Sequence, residues 1–80
     1  MYFVYILMCA DTSLYVGCTN DLERRVRQHN NSKQGARYTR IRRPVRLVYQ
    51  EECTTFAAAR KREAEIKSWR REKKLALIEG

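Results

Sequence analysis

Tyr2 to Cys9 is apolar or aromatic at every position and rich in β-branched side chains. Both faces of the strand it predicts must therefore be covered, as for a strand at the centre of a sheet. The polar break Ala10-Asp11-Thr12-Ser13 leads into Leu14-Tyr15-Val16-Gly17, a second strand that folds back as a hairpin and sets Tyr5 and Tyr15 on neighbouring strands. At Asn20 the period changes. Asn20 reads as an N-cap, with Asp21 and Glu23 suiting the positive end of the helix that follows. Leu22, Val26 and His29 recur at spacings of four and three, so one stripe faces the sheet, Arg25 borders it, and Arg24, Arg27 and Gln28 point elsewhere. A polar run from Asn30 to Gly35 reads as a loop, and Ala36 to Arg42 as a short helix or turn ending before Pro44.

Val45 to Gln50 alternates again and predicts a third strand with a less apolar second face. Thr54 or Thr55 then caps a helix with Phe56, Ala59, Glu63 and Ile66 along one side, and its alanines favour helix by propensity. Leu75, Leu77 and Ile78 anchor a last helical segment beyond Trp69. Three strands interleaved with helices make an α/β chain of the α+β kind. Eighty residues fit one domain, 1–80, whose thin core leaves any inward charge in need of a partner.

Charge sharpens the picture. Seventeen Lys and Arg against nine Asp and Glu give +8, and twelve of the seventeen are Arg, whose rigid fork suits phosphate oxygens. From Arg24 to Arg46 there are eight Arg and one Lys without a single acid. Such a run repels itself unless it meets a polyanion, and a phosphate backbone would release counterions on binding. Arg24, Arg27, Arg37, Arg40, Arg42, Arg43 and Arg46 are the candidate backbone contacts. Three widely spaced cysteines, no Cys-x-x-Cys unit and one histidine argue against a disulfide framework or a structural zinc site. The apolar start lacks a basic n-region and meets Asp11 too soon for a signal peptide or membrane span. A cytoplasmic protein with no membrane partner is expected.

Within this frame a few residues can carry chemistry. Tyr5 and Tyr15 are phenols in apolar strands, and Gly17, at the end of the second strand, would let the backbone turn sharply or a phosphate approach the sheet edge, a simple turn glycine being the plain alternative. Glu63 is a carboxylate between Ala59 and Ile66 on an inward stripe, a costly position unless it is paired. Arg25 and His29 share a helical face at i and i+4. An Arg25–Glu63 ion pair with a purely structural role is the plain alternative.

Taken together these residues resemble the GIY-YIG nucleases. Val4-Tyr5-Ile6 resembles the first half of the name motif, with Val4 in place of its glycine, and Tyr15-Val16-Gly17 the second half. Thr19-Asn20-Asp21-Leu22, the Leu22-x-x-Arg25-x-x-x-His29 helix and Glu63-x-x-Ile66-Lys67 follow in the family's order. Gly35-Ala36-Arg37-Tyr38-Thr39, and Arg43-Pro44 through Val48-Tyr49, resemble the small stand-alone bacterial subfamily. The resemblance implies a three-stranded antiparallel sheet flanked by helices. It also implies hydrolysis of phosphodiester bonds, in DNA before RNA, with one Mg²⁺ (or Mn²⁺) held by Glu63. Tyr5 would be the candidate general base, Tyr15 would orient water or phosphate, His29 would polarise the tyrosine or share the proton transfer, and Arg25 would neutralise charge on the phosphate. For Tyr5 to work as a base near neutrality, Arg25, the metal and His29 would have to favour its phenolate. The alternative is a nucleic-acid-binding module with weak or partner-dependent cleavage; a structural or protein-interaction domain is a third reading.

Overall fold

A computed structural model describes residues 1–80. In chain order it contains β1 (Tyr2–Met8), β2 (Leu14–Thr19), α1 (Leu22–Asn31), α2 (Arg37–Arg40), β3 (Arg46–Cys53), α3 (Phe56–Lys67) and α4 (Arg71–Glu79). The strands form one antiparallel sheet in the order β2-β1-β3, so the wholly apolar segment is the central strand, as its two-faced pattern requires. Tyr5 pairs with Gly17 across the hairpin, and a bulge between Ile6 and Leu7 shifts the register against β3.

The alternation along β1 divides the interior in two. Val4 and Ile6, with Val16, meet Ala59 and Ile66 of α3, and Trp69, Leu77 and Ile78 extend that layer. Tyr5, Leu7 and Cys9 face the other way with Val45, where Tyr15 and the α1 stripe of Leu22 and Val26 cover them. One strand thus carries both cores, and α1 and α3 lie on opposite faces of the sheet.

Several boundaries differ from the sequence reading for local reasons. Asp21, not Asn20, caps α1, its carboxylate accepting from the Arg24 amide at 3.2 Å. Thr55 caps α3 through a 3.1 Å bond from the Ala58 amide. The third strand continues to Cys53 because Glu51, Glu52 and Cys53 pair with Val4, Phe3 and Tyr2. Its start is held from outside the sheet, where the Asn30 amide donates to Val45 O at 2.9 Å and accepts from Val45 N at 2.7 Å. A break at Ser68–Arg70 separates α3 from α4, with the Trp69 ring beneath Lys73 Nζ at 4.2 Å. No helix is long and apolar enough to cross a membrane.

Two isoleucines test this division of the core. Ile66 is fully buried whereas Ile41 is 73% exposed. Ile66→Ala is expected to cost about 2–5 kcal/mol in urea denaturation, and Ile41→Ala about 0.5 kcal/mol or less.

Candidate active site at the Gly17 edge

Gly17 sits in the edge strand β2 opposite Tyr5, and the phenol lies directly over it. A Cβ on Gly17 would stand 2.5 Å from the Tyr5 hydroxyl and 3.2 Å from the Tyr15 ring, so any larger residue would displace the phenol. Tyr5 reaches across the hairpin to His29 of α1, with Oη 2.9 Å from Nε2. The other ring nitrogen, Nδ1, is 2.7 Å from Thr39 Oγ1 of α2. Tyr5, His29 and Thr39 are all shielded from solvent. The Tyr15 ring meets His29 edge-on at 5.0 Å and stacks toward Tyr38 at 6.0 Å, closing the aromatic side of the site.

Arg25 stands beside the phenol. Its Nη1 donates to Gln28 Oε1 at 3.0 Å and to the Gln34 carbonyl at 2.8 Å, leaving the rest of the guanidinium fork for another acceptor. It also lines a polar cleft of about 250 Å³ with Thr19, Asn20, Asp21, Arg24 and Gln28.

Glu63 approaches from α3, on the far side of the sheet. Its Oε2 pairs with Lys67 Nζ at 2.8 Å, while Oε1 is buried without any hydrogen-bond partner. The Arg25–Glu63 ion pair therefore does not form: Arg25 is held by Gln28 and Gln34, and Glu63 by the lysine one turn along its own helix. An orphaned buried carboxylate oxygen suits a hard cation. No group of three or more His, Cys, Asp or Glu residues is assembled, so a metal would find one protein carboxylate. That donor set fits Mg²⁺, which keeps several waters and shares substrate phosphates.

Burial sets the protonation states. It pushes the Tyr5 phenol up to about 12, against an opposing pull from Arg25 and with Tyr15 and Glu63 adding to the rise. His29 is pushed down to about 4 by burial, reinforced by Arg25 and Arg43. Burial would raise the Glu63 carboxyl, but Lys67 and the Cys18 thiol hold it below the usual range. Cys18 in turn is pushed up to about 11, by burial and then by Glu63. At neutral pH the site holds a phenol, a neutral imidazole and a carboxylate. Burial thus holds Tyr5 as a phenol against the pull of Arg25, so a phenolate there would need further positive charge, such as a metal ion.

The arginines of the basic window divide by environment. Arg24, Arg37 and Arg40 extend into solvent with no side-chain partner, and Arg46 touches only Met8 Sδ, at 3.5 Å. Arg27 makes an exposed i,i+4 pair with Glu23. Arg42 bonds Asp11 and the Tyr38 carbonyl and lies 3.9 Å over the Tyr38 ring. Arg43 turns inward, donating to His29 O and Ser32 O at 2.6 Å each and so capping the end of α1. Thr39, Tyr38 and Lys67 are the site neighbours not singled out from sequence. Thr39 and Tyr38 lie within Gly35-Ala36-Arg37-Tyr38-Thr39, and Lys67 is at i+4 from Glu63.

The buried imidazole gives stability a definite pH dependence. Because His29 takes up a proton more readily unfolded than folded, stability falls as pH drops from about 6.5 toward 4. The loss is expected to reach on the order of 3 kcal/mol in urea denaturation curves, and His29→Asn should flatten that slope. Gly17→Ala is expected to destabilise by about 1–3 kcal/mol in the same measurement at pH 7, because the phenol must move.

Comparison with known proteins identifies the family. The family described as the GIY-YIG catalytic domain matches residues 1–76. A UPF0213 protein of Staphylococcus saprophyticus is 56% identical over 77 residues, covering 96% of this chain and 93% of the relative. The solution NMR structure of a UPF0213 protein from Bacillus halodurans is 42% identical with a TM-score of 0.62, covering 99% of this chain and 84% of that one. A second NMR structure, of a protein from E. faecalis, is 43% identical with a TM-score of 0.62, covering 91% and 77%. With a family model matching residues 1–76 and curated relatives 56% identical and covered over more than nine-tenths of their length, the chain belongs to the GIY-YIG family, among its UPF0213 members.

Proposed function

We propose that this protein is a divalent-metal-dependent nuclease that hydrolyses phosphodiester bonds in DNA. The observation that carries the reading is the unpartnered buried oxygen of Glu63, within electrostatic reach of the buried Tyr5 phenol. Lys67 and the Cys18 thiol keep the carboxylate charged, and its unpartnered oxygen still has acceptor capacity that a cation could use.

In this reading Glu63 holds Mg²⁺ or Mn²⁺, with water and phosphate oxygens as its other ligands. When bound, the metal supplies Lewis-acid stabilisation of charge on the leaving oxygen. Arg25, anchored through Nη1 alone, presents its remaining N–H groups to a nonbridging phosphate oxygen and stabilises charge as it develops. With Arg25 and a cation on Glu63 offsetting the burial that holds Tyr5 as a phenol, Tyr5 would pass its proton to the neutral His29 and take one from the attacking water. Tyr15, packed edge-on against His29, orients that water or the phosphate. The solvent-facing Arg24, Arg37, Arg40 and Arg46 hold the backbone on either side, with Arg27 available once its weak surface pair opens. Arg42 and Arg43 serve the scaffold first.

The Lys67–Glu63 pair favours a second reading, because a lysine already neutralises the carboxylate. The protein would then be a nucleic-acid-binding module that cuts weakly or only with a partner. One assay separates the two. Purified protein is incubated with single-stranded, flexible and branched DNA in Mg²⁺ or in chelator, while binding is followed separately. Glu63→Gln is expected to bind DNA as before and lose Mg²⁺-dependent nicking. Arg25→Lys and Tyr5→Phe should each slow nicking about 10²–10³-fold. A wild-type protein that binds but never nicks in Mg²⁺ would establish the second reading.

A further inference from the structure

The imidazole of His29 is bonded at both nitrogens, and the second bond fixes the first. Thr39 Oγ1 lies 2.8 Å from the Ala36 carbonyl, which also accepts from the Thr39 and Arg40 amides; with the hydroxyl proton on that carbonyl, Oγ1 faces His29 as an acceptor. In that arrangement His29 Nδ1, 2.7 Å away, carries the ring proton of the neutral imidazole, and Nε2 presents a bare lone pair 2.9 Å from the Tyr5 hydroxyl. Every bond in the string runs one way: Tyr5 O–H to His29, His29 N–H to Thr39, Thr39 O–H to the backbone. A free imidazole tends to the opposite tautomer, with the proton on Nε2. That form would donate to the phenol oxygen and have nowhere to put the Tyr5 proton.

We propose that Thr39 is a positioning residue that holds His29 in the Nδ1-protonated tautomer and so makes its Nε2 the proton acceptor for Tyr5. The surroundings are built for this. Gly35 lets the chain before α2 lie against α1, since a Cβ there would come within 2.6 Å of Gln28 O and 2.8 Å of His29 Cα. Arg43 clamps the His29 carbonyl from the other side. The backbone that carries the ring is thus held from both sides, and Thr39, wholly buried, is the hydrogen-bond partner of Nδ1. The charged and titratable groups around the ring are Tyr5 of β1, Tyr15 of β2, Arg25 of its own helix and Arg43 ahead of β3. None of them offers Nδ1 an alternative acceptor.

The catalytic part of this role rests on the nuclease reading. There the phenol proton moves to Nε2, giving phenolate and imidazolium, while Nδ1–H stays on Thr39. The phenolate removes a proton from water as its oxygen bonds to phosphorus. The bond from phosphorus to the leaving oxygen breaks, and that oxygen takes a proton from solvent. The imidazolium returns its Nε2 proton to the Tyr5 oxygen as that oxygen gives up to solvent the proton taken from water, which restores the starting state.

The test is nitrogen-15 NMR of the full-length protein at neutral pH, where the single histidine makes the assignment unambiguous. Wild type is expected to show a protonated Nδ1 and an unprotonated Nε2. Thr39→Ser should keep that pattern, and Thr39→Val should move the proton largely to Nε2 in a protein whose amide spectrum remains dispersed. In nicking assays Thr39→Val is expected to lower kcat about tenfold or more with KM unchanged, and Thr39→Ser to restore it. A wild-type ring protonated at Nε2 would overturn the proposal without recourse to any variant. So would a folded Thr39→Val protein that keeps the Nδ1–H tautomer. The NMR result decides the role of Thr39 in the tautomer whether or not the wild-type protein cuts, so its failure and that of the nuclease reading are distinguishable.

Discussion

A phenol and an imidazole hydrogen-bonded in the interior, 24 positions apart in the chain, set the terms for the rest of this molecule. Burying them costs desolvation that only a fixed geometry can offset, since each polar atom must find its partner inside. Gly17 yields the space for the phenol, Leu22 and Val26 bring α1 down onto the same face, and Thr39 closes the far side of the ring. The sheet is small, yet its central strand meets this demand on one face while packing α3 on the other.

Much of this was legible in the sequence wherever a period carries the information. Alternation marks β1 as two-faced and puts Tyr5 opposite the second strand, and the i, i+4 stripes put His29 and Glu63 inward. The Asn20-Asp21 ambiguity shows the limit of capping signals, because either side chain can accept from a helical amide and only the chain's exit angle decides. Periodicity is silent about what a charged group touches. Nothing in the spacing tells that Arg25 bonds Gln34 across a loop, or that Lys67 reaches Glu63 first.

The basic window illustrates the same limit. Counted along the chain it is nine like charges, but in space Arg42 and Arg43 bind carbonyls, a ring and Asp11, holding the α2 segment and the end of α1. Loop residues have no pattern to betray an inward turn, and a guanidinium can saturate orphan carbonyls as readily as phosphate oxygens. Thr39 is harder still to foresee. A lone hydroxyl in a polar stretch reads as surface, and only the direction of its own hydrogen bond gives it a place in the site.

Helix α2 is four residues long, far too short to persist by itself. Thr39 therefore owes its position to anchors outside its own turn: Gly35 seated on α1, and Arg42 and Arg43 gripping the segment that follows. The polarity of the buried string is in that sense a collective property. An opening that freed only residues 35–43 would leave the strands paired and the phenol in place, yet the imidazole would regain its choice of tautomer. Order in the least regular stretch of the backbone is what gives the proton a direction.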